Sequence, residues 1–169
     1  MNGDSLIAGA SGFDASVPVG DSGRAAIWRR SGSGDFPWQF SAMLAPDEPG
    51  ANDRFGHRVA LPTPRLALVG APDRDVPMPP FDDAVDAGSA LRHTFDATPT
   101  ECAPGWVHAG GIRPPSLAQG GARHGWAVAG GDLLAATALE ATVNSIPRAG
   151  RVSLSLDDTV FRSGHDCRD

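Results

Sequence analysis

The sequence predicts an all-β chain, a partial β-propeller of four-stranded antiparallel blades, about two and a half in number. Three observations carry this. Four different landmarks recur in the same order at a spacing of about 60–68 residues, and repeats of that order made only of strands point to propeller blades. Glycine (21) and proline (15) are abundant and aromatics few, which suits many turns and short strands better than long helices. No stretch sustains a helical periodicity.

The landmarks align as follows. "LIAGA" begins at Leu6, "LALVGAP" at Leu66 and "LLAATA" at Leu133, offsets of about 60 and 67. "DSGRAAIW" around Gly23 matches "DAGSALRHTF" around Gly88 and "RAGRVSLSL" around Gly150. "FPWQFSAML" around Trp38 matches "PGWVHAGGI" around Trp106, and "RFGHRVAL" at Phe55-Gly56 matches "RHGWAVAG" at His124-Gly125. One such match is cheap by chance, but four in one order are not.

The repeat divides the chain into residues 1–52, a first blade lacking its innermost strand, residues 53–113, a complete blade, and residues 114–169, a degenerate or incomplete third blade with a C-terminal tail. In the complete unit the strands are expected at 55–61, 65–71, 88–95 and 105–112, each alternating apolar with small or polar residues as half-buried strands do. The segment "PDRDVPMPPFDDAVDA" between the second and third strands holds four prolines and five aspartates, so it is neither helix nor strand interior. Gly56 and Gly125 each follow a ring residue, where glycine permits close backbone approach or a bend. "GDLLAATALEATV" (131–143) would pass alone as a short helix, and only its repeat phase makes it a strand. A last strand is expected near 159–163.

Composition excludes several classes. A net charge of −6 argues against a nucleic-acid partner, which needs clustered positive charge. All fourteen basic residues are arginine, a mark of genome base bias rather than of function. No apolar run approaches the length of a membrane span. The N-terminus has no basic stretch, long apolar core or cleavage site, so this chain carries no signal peptide of its own.

The phrase "FGHRVAL … LALVGAP" resembles the FG-GAP repeat of integrin-α-type β-propellers: Phe55-Gly56, a short strand, a turn, and a second strand ending Gly70-Ala71-Pro72. In the third unit His124 stands for the phenylalanine, and Ala136-Thr137-Ala138 for Gly-Ala-Pro. The resemblance implies blades closing a ring of about seven. This chain is then expected to be a piece of a longer propeller, or else to complete the ring by associating with copies of itself, the former being favoured. It also implies an extracellular or cell-envelope adhesion module, with no enzymatic activity, that meets a protein or glycan through its inter-strand loops. The alternative is a purely structural scaffold domain of a larger secreted protein or enzyme.

In that family the loops joining strands two and three and those joining blades share one face. Here they are about 11–22, 45–53, 72–87, 113–123 and 139–149. Long loops on a rigid scaffold are where binding residues concentrate. The candidate ligand-binding residues are Asp47, Glu48, Asp73, Arg74, Asp75, Phe81, Asp82, Asp83 and Asp86. Phe81 and Met78 are either anchors for a partner or tucked against their own blade. Such repeats also often carry a DxDxDG-like calcium loop, whose alternating carboxylates gather six to eight oxygens. The matching loops, "PTPR" (62–65) and "GGD" (130–132), lack it, so no metal site or cofactor is assigned. "DRD" (73–75) and "DDAVD" (82–86) could gather a calcium ion, with a solvated acidic loop the plainer reading.

Other chemistry finds little support. "GDSG" (20–23) resembles the nucleophile motif of chymotrypsin-like proteases, but such a triad needs a histidine base well upstream, and only nineteen residues precede Gly20. The five histidines are dispersed at 57, 93, 108, 124 and 165 without zinc spacing, and His124 is expected to pack between blades. Trp28, Trp38, Trp106 and Trp126 read as packing residues. By repeat phase Cys102 and Cys167 follow the third strands of successive blades, within reach of a disulfide in an oxidising compartment. Two cysteines alone leave a bridge and free thiols both open.

Overall fold

The computed structural model describes residues 1–14, 20–32, 37–96, 105–112 and 118–156. Cys102, Cys167 and the strand expected near 159–163 lie outside the described residues. Among the described residues there are ten strands and no helix, and so no helix long and apolar enough to cross a membrane.

The strands form three antiparallel sheets. The first holds β1 (Ser5–Ala10), β2 (Arg24–Arg30) and β3 (Trp38–Leu44) in that order. The second holds β4 (Arg58–Thr63), β5 (Leu66–Ala71), β6 (Ser89–Asp96) and β7 (Gly105–Ile112). The third holds β8 (His124–Gly130), β9 (Leu133–Ala138) and β10 (Arg151–Leu156). Each sheet is a meander, because every connection joins neighbours. The segment 133–138 is a strand although its apolar spacing suits a helix. Leu134, Ala136 and Ala138 alternate inward, and the register to β10 pairs Leu133 with Leu156.

The second sheet is covered on both faces. Toward the first sheet, Ala67, Val69, Ala71 and Leu91 meet Ile7, Ala25, Ile27 and Leu44. Toward the third, Leu66, Leu68, Ala90 and Ile112 meet Leu134 and Ala136. This explains why all six residues of β5 are buried: a strand between two apolar layers reads as a continuous hydrophobic run rather than an alternation.

The strand expected from residue 55 begins at Arg58 instead. Residues 55 and 56 are used for the junction between sheets. Phe55 makes a parallel bridge with Gly23, and its N–H donates to the Ser22 carbonyl at 3.0 Å. The second junction repeats this: His124 bridges Gly88, and its N–H donates to the Ala87 carbonyl at 2.8 Å. One residue earlier, Arg54 donates to Asp21 and Arg123 to Asp86. Gly56 and Gly125 then turn the chain with φ of 91° and 87°, a region that favours glycine.

Close approach explains the other glycines of the pattern. A Cβ on Gly9 would collide with the Gly56 carbonyl, and one on Gly70 with the Gly125 carbonyl. The two junctions are therefore the same device, built from residues 61 to 69 apart.

Candidate functional site

The connections at the β5–β6 end of the sheets join into one continuous rim through hydrogen bonds between successive loops. Asn52 N–H reaches the Gly20 carbonyl at 2.9 Å. The Arg74 guanidinium reaches the Glu48 carbonyl at 3.5 Å. Gly121 N–H donates to the Val85 carbonyl at 2.8 Å, and Gln119 exchanges two bonds with the backbone of Thr142. Loops braced this way present side chains from a fixed backbone.

The longest of these loops, 72–87, is itself ordered from within. Val76 and Ala84 exchange both backbone hydrogen bonds, and Phe81 N–H donates to the Met78 carbonyl at 2.7 Å. Asp75 accepts the Asp86 N–H at 2.9 Å, which holds Asp86 in a left-handed turn with φ 52°. In the first unit Asp14 accepts the Asp21 N–H in the same way at 2.9 Å. The aspartates of these two turns act on the backbone of their own loop.

The nine residues nominated from the sequence separate into three groups. Asp47, Glu48, Asp75, Asp82 and Asp83 are exposed on the rim, and Phe81 at its tip is 71% exposed. Arg74 and Asp86 are half-buried. Asp73 points inward, its side chain only 11% exposed, and it is paired with Arg54 at 3.0 Å and with Arg123 at 3.3 Å. Both arginines immediately precede a junction ring residue, so Asp73 ties the two junctions together. Glu140 stands 67 residues on and pairs with Arg123 and Arg148. Asp73 is thus placed as a brace. Asp73→Ala should lower stability by about 1–2 kcal/mol, a modest value because both arginines are partly solvated. Urea unfolding of Asp73→Ala and Asp73→Asn, with the loss shrinking at high salt, checks this.

Phe81 does not tuck back against its own sheet, whereas Met78 is half-buried. Both line a cleft of about 740 Å³ that opens between the 72–87 loop, the start of β6, the end of β7 and the third sheet. Leu91, Ile112, Ala122 and Ala141 supply apolar wall, and Arg74, His108, His124 and Arg151 supply polar groups. A cleft of this volume with a few convergent polar groups suits a small ligand or a side chain of a larger one.

Three histidines lie deeper. His93 is 3% exposed, donates from Nε2 to the Ala45 carbonyl (3.2 Å), and meets Phe55 edge-on with ring centroids 5.7 Å apart. Burial holds its pKa down at about 4, against a smaller upward pull from the Ala45 bond. His108 packs on His93 at 5.3 Å and reaches the Asp47 carboxylate at 3.6 Å. His124 is 2% exposed and reaches the Ser153 hydroxyl at 3.3 Å. Burial, and then the charge of Arg151, hold it also at about 4. Both buried rings are therefore neutral at physiological pH and serve as packing groups.

The hydroxyl that meets His124 is that of Ser153, itself only 4% exposed and so closed off from a substrate. Ser22 of the GDSG string is fully buried, and its hydroxyl reaches the Phe13 carbonyl at 3.3 Å. Among the described residues no three His, Cys, Asp or Glu side chains converge as a metal set would. The sequence motifs do not point to Arg54, Arg123 or His108. The arginines had a signal, since each directly precedes a ring–glycine pair, but their common partner Asp73 lies in a loop with no counterpart motif.

A scan against protein-family models finds no match for this chain, and a search of curated proteins finds none either.

Proposed function

We propose that this chain is a non-enzymatic binding module built as part of an FG-GAP-type β-propeller, which holds a protein or glycan ligand against its loop rim outside the cell or in the cell envelope. The propeller reading is supported by two junctions of one design between three meander sheets. The observation that carries the binding reading is Phe81. It is a large aromatic at 71% exposure, flanked by the exposed Asp82 and Asp83, on a loop braced by the Val76–Ala84 pair. A fixed aromatic anchor loses little conformational freedom on binding, and aromatics dominate the energetics of contact surfaces. The neighbouring carboxylates favour a ligand with cationic or hydroxyl groups beside an apolar one.

The test is capture by the purified chain on glycan and cell-surface protein arrays. The triple variant Phe81→Ala, Asp82→Asn, Asp83→Asn should lose at least about tenfold of the captured signal, on the scale of one interface hot spot. Its melting temperature should stay at the parent value, because all three side chains are exposed. Undiminished capture by the folded variant, or no capture by the parent chain, contradicts the binding reading. The second reading, a structural scaffold, is favoured by the uncovered outer faces of the first and third sheets.

A further inference from the structure

We propose that copies of this chain dock head to tail, the outer face of the third sheet of one copy against the outer face of the first sheet of the next. The proposal rests on the stacked-sheet reading and is independent of what the loop rim binds. It starts from the third sheet, where Leu133, Val152, Leu154 and Leu156 are 48%, 61%, 65% and 72% exposed. The register places them on one face: Leu156 lies opposite Leu133, Leu154 opposite Ala135, and Val152 opposite Thr137. In the second sheet the corresponding register pairs Leu66 with Thr94, Leu68 with Arg92 and Gly70 with Ala90. That face is covered, with Leu66, Leu68 and Ala90 at 2%, 0% and 1%, and its cover is the third sheet.

The first sheet shows the opposite half. Its outer face carries Leu6, Ala8, Trp28, Phe40 and Met43, joined by the pairs Leu6–Trp28, Trp28–Phe40 and Ala26–Met43. Phe40 is 60% exposed and Met43 47%. The corresponding residues of the second sheet, Ala67, Val69 and Ala71, are all at 0% beneath the first sheet.

So the molecule displays two apolar faces of different kinds. One is the kind covered by a following sheet, the other the kind covered by a preceding sheet. The internal junctions show that these two kinds fit each other. A contact between unlike faces is heterologous: it propagates head to tail and closes when the rotation allows a ring. Association of copies is concentration-dependent.

The experiment is light scattering coupled to size exclusion over a hundredfold concentration range, on the full chain and on Phe40→Lys and Leu154→Glu. The parent chain is expected to rise to at least twice its monomer mass. Each variant alone is expected to remain a monomer, and an equimolar mixture to recover at least a dimer, since it contains one unaltered junction. A monomeric parent overturns the proposal while leaving the stacked sheets intact, which separates the two failures. A single variant that still associates overturns the head-to-tail geometry, because it shows pairing of like faces. Circular dichroism verifies folding, and Met43→Lys with Leu156→Glu replaces the first pair should either member unfold.

Discussion

Gly70→Ala is expected to lower the stability of the chain by about 3 kcal/mol or more. The added Cβ would meet the Gly125 carbonyl, and the partner is backbone, not the free end of a side chain. Neither β5 nor the turn after His124 can withdraw without separating Leu68 from Leu134 and Ala136 in the shared core. Overpacking of this kind costs about 3 kcal/mol or more when nothing can yield. A domain with a net stability of about 5–15 kcal/mol loses much of it. Gly125→Ala should be at least as damaging, because the clash with Ser89 adds to a φ of 87°. Gly131 provides the control. It has nothing within 4 Å of a built Cβ, so Gly131→Ala should change stability by less than about 0.5 kcal/mol. Chemical denaturation of the three variants, followed by tryptophan fluorescence, reads the contrast.

Acid is expected to destabilise the chain progressively between about pH 6.5 and pH 4. His93 and His124 are neutral in the folded protein, with pKa values lowered from 6.5 to about 4 by burial. The unfolded chain therefore binds more protons than the native one between these values. Stability is fully present above about pH 6.5 and is lost as pH falls toward 4. Each ring contributes on the order of 3 kcal/mol over that window. His57 is shifted in the same direction, by burial first and then by Arg58 and Arg54. The melting temperature should fall steeply from pH 6.5 to pH 4. His124→Phe, which places in the third unit the ring found at Phe55, should flatten that fall. A melting temperature independent of pH over this range contradicts the assignment of neutral buried rings.

Much of this architecture is legible in the sequence because the repeat is carried by residue types with steric consequences. Glycine at 56, 70 and 125 marks places where only a missing Cβ allows two backbones to touch, so the pattern survives in letters. The strands at 66–71 and 89–96 are legible as short runs suited to a pleat, although the alternation expected of a half-buried strand fails in β5, whose six residues are all buried. The sequence puts the start of β4 three residues early, because a ring–glycine pair looks like strand while it is spent crossing to the next sheet. The rim was less legible. A run of aspartates reads alike whether it meets solvent, as Asp82 and Asp83 do, or an arginine pair, as Asp73 does. Which of the two applies depends on Arg54 and Arg123, brought to one point by junctions 69 residues apart. Nothing local in the sequence encodes that meeting.

The most direct test of the repeated junction is native-state amide hydrogen exchange at Phe55 and His124. Their N–H groups donate to Ser22 and Ala87 in the neighbouring unit, at 3.0 and 2.8 Å. If the sheets are stacked through these bonds, both amides exchange as slowly as those of the buried strand β5. If either amide exchanges at the rate of the exposed rim residues Asp82 and Asp83, the sheets are not joined in this way and the common design of the two junctions fails.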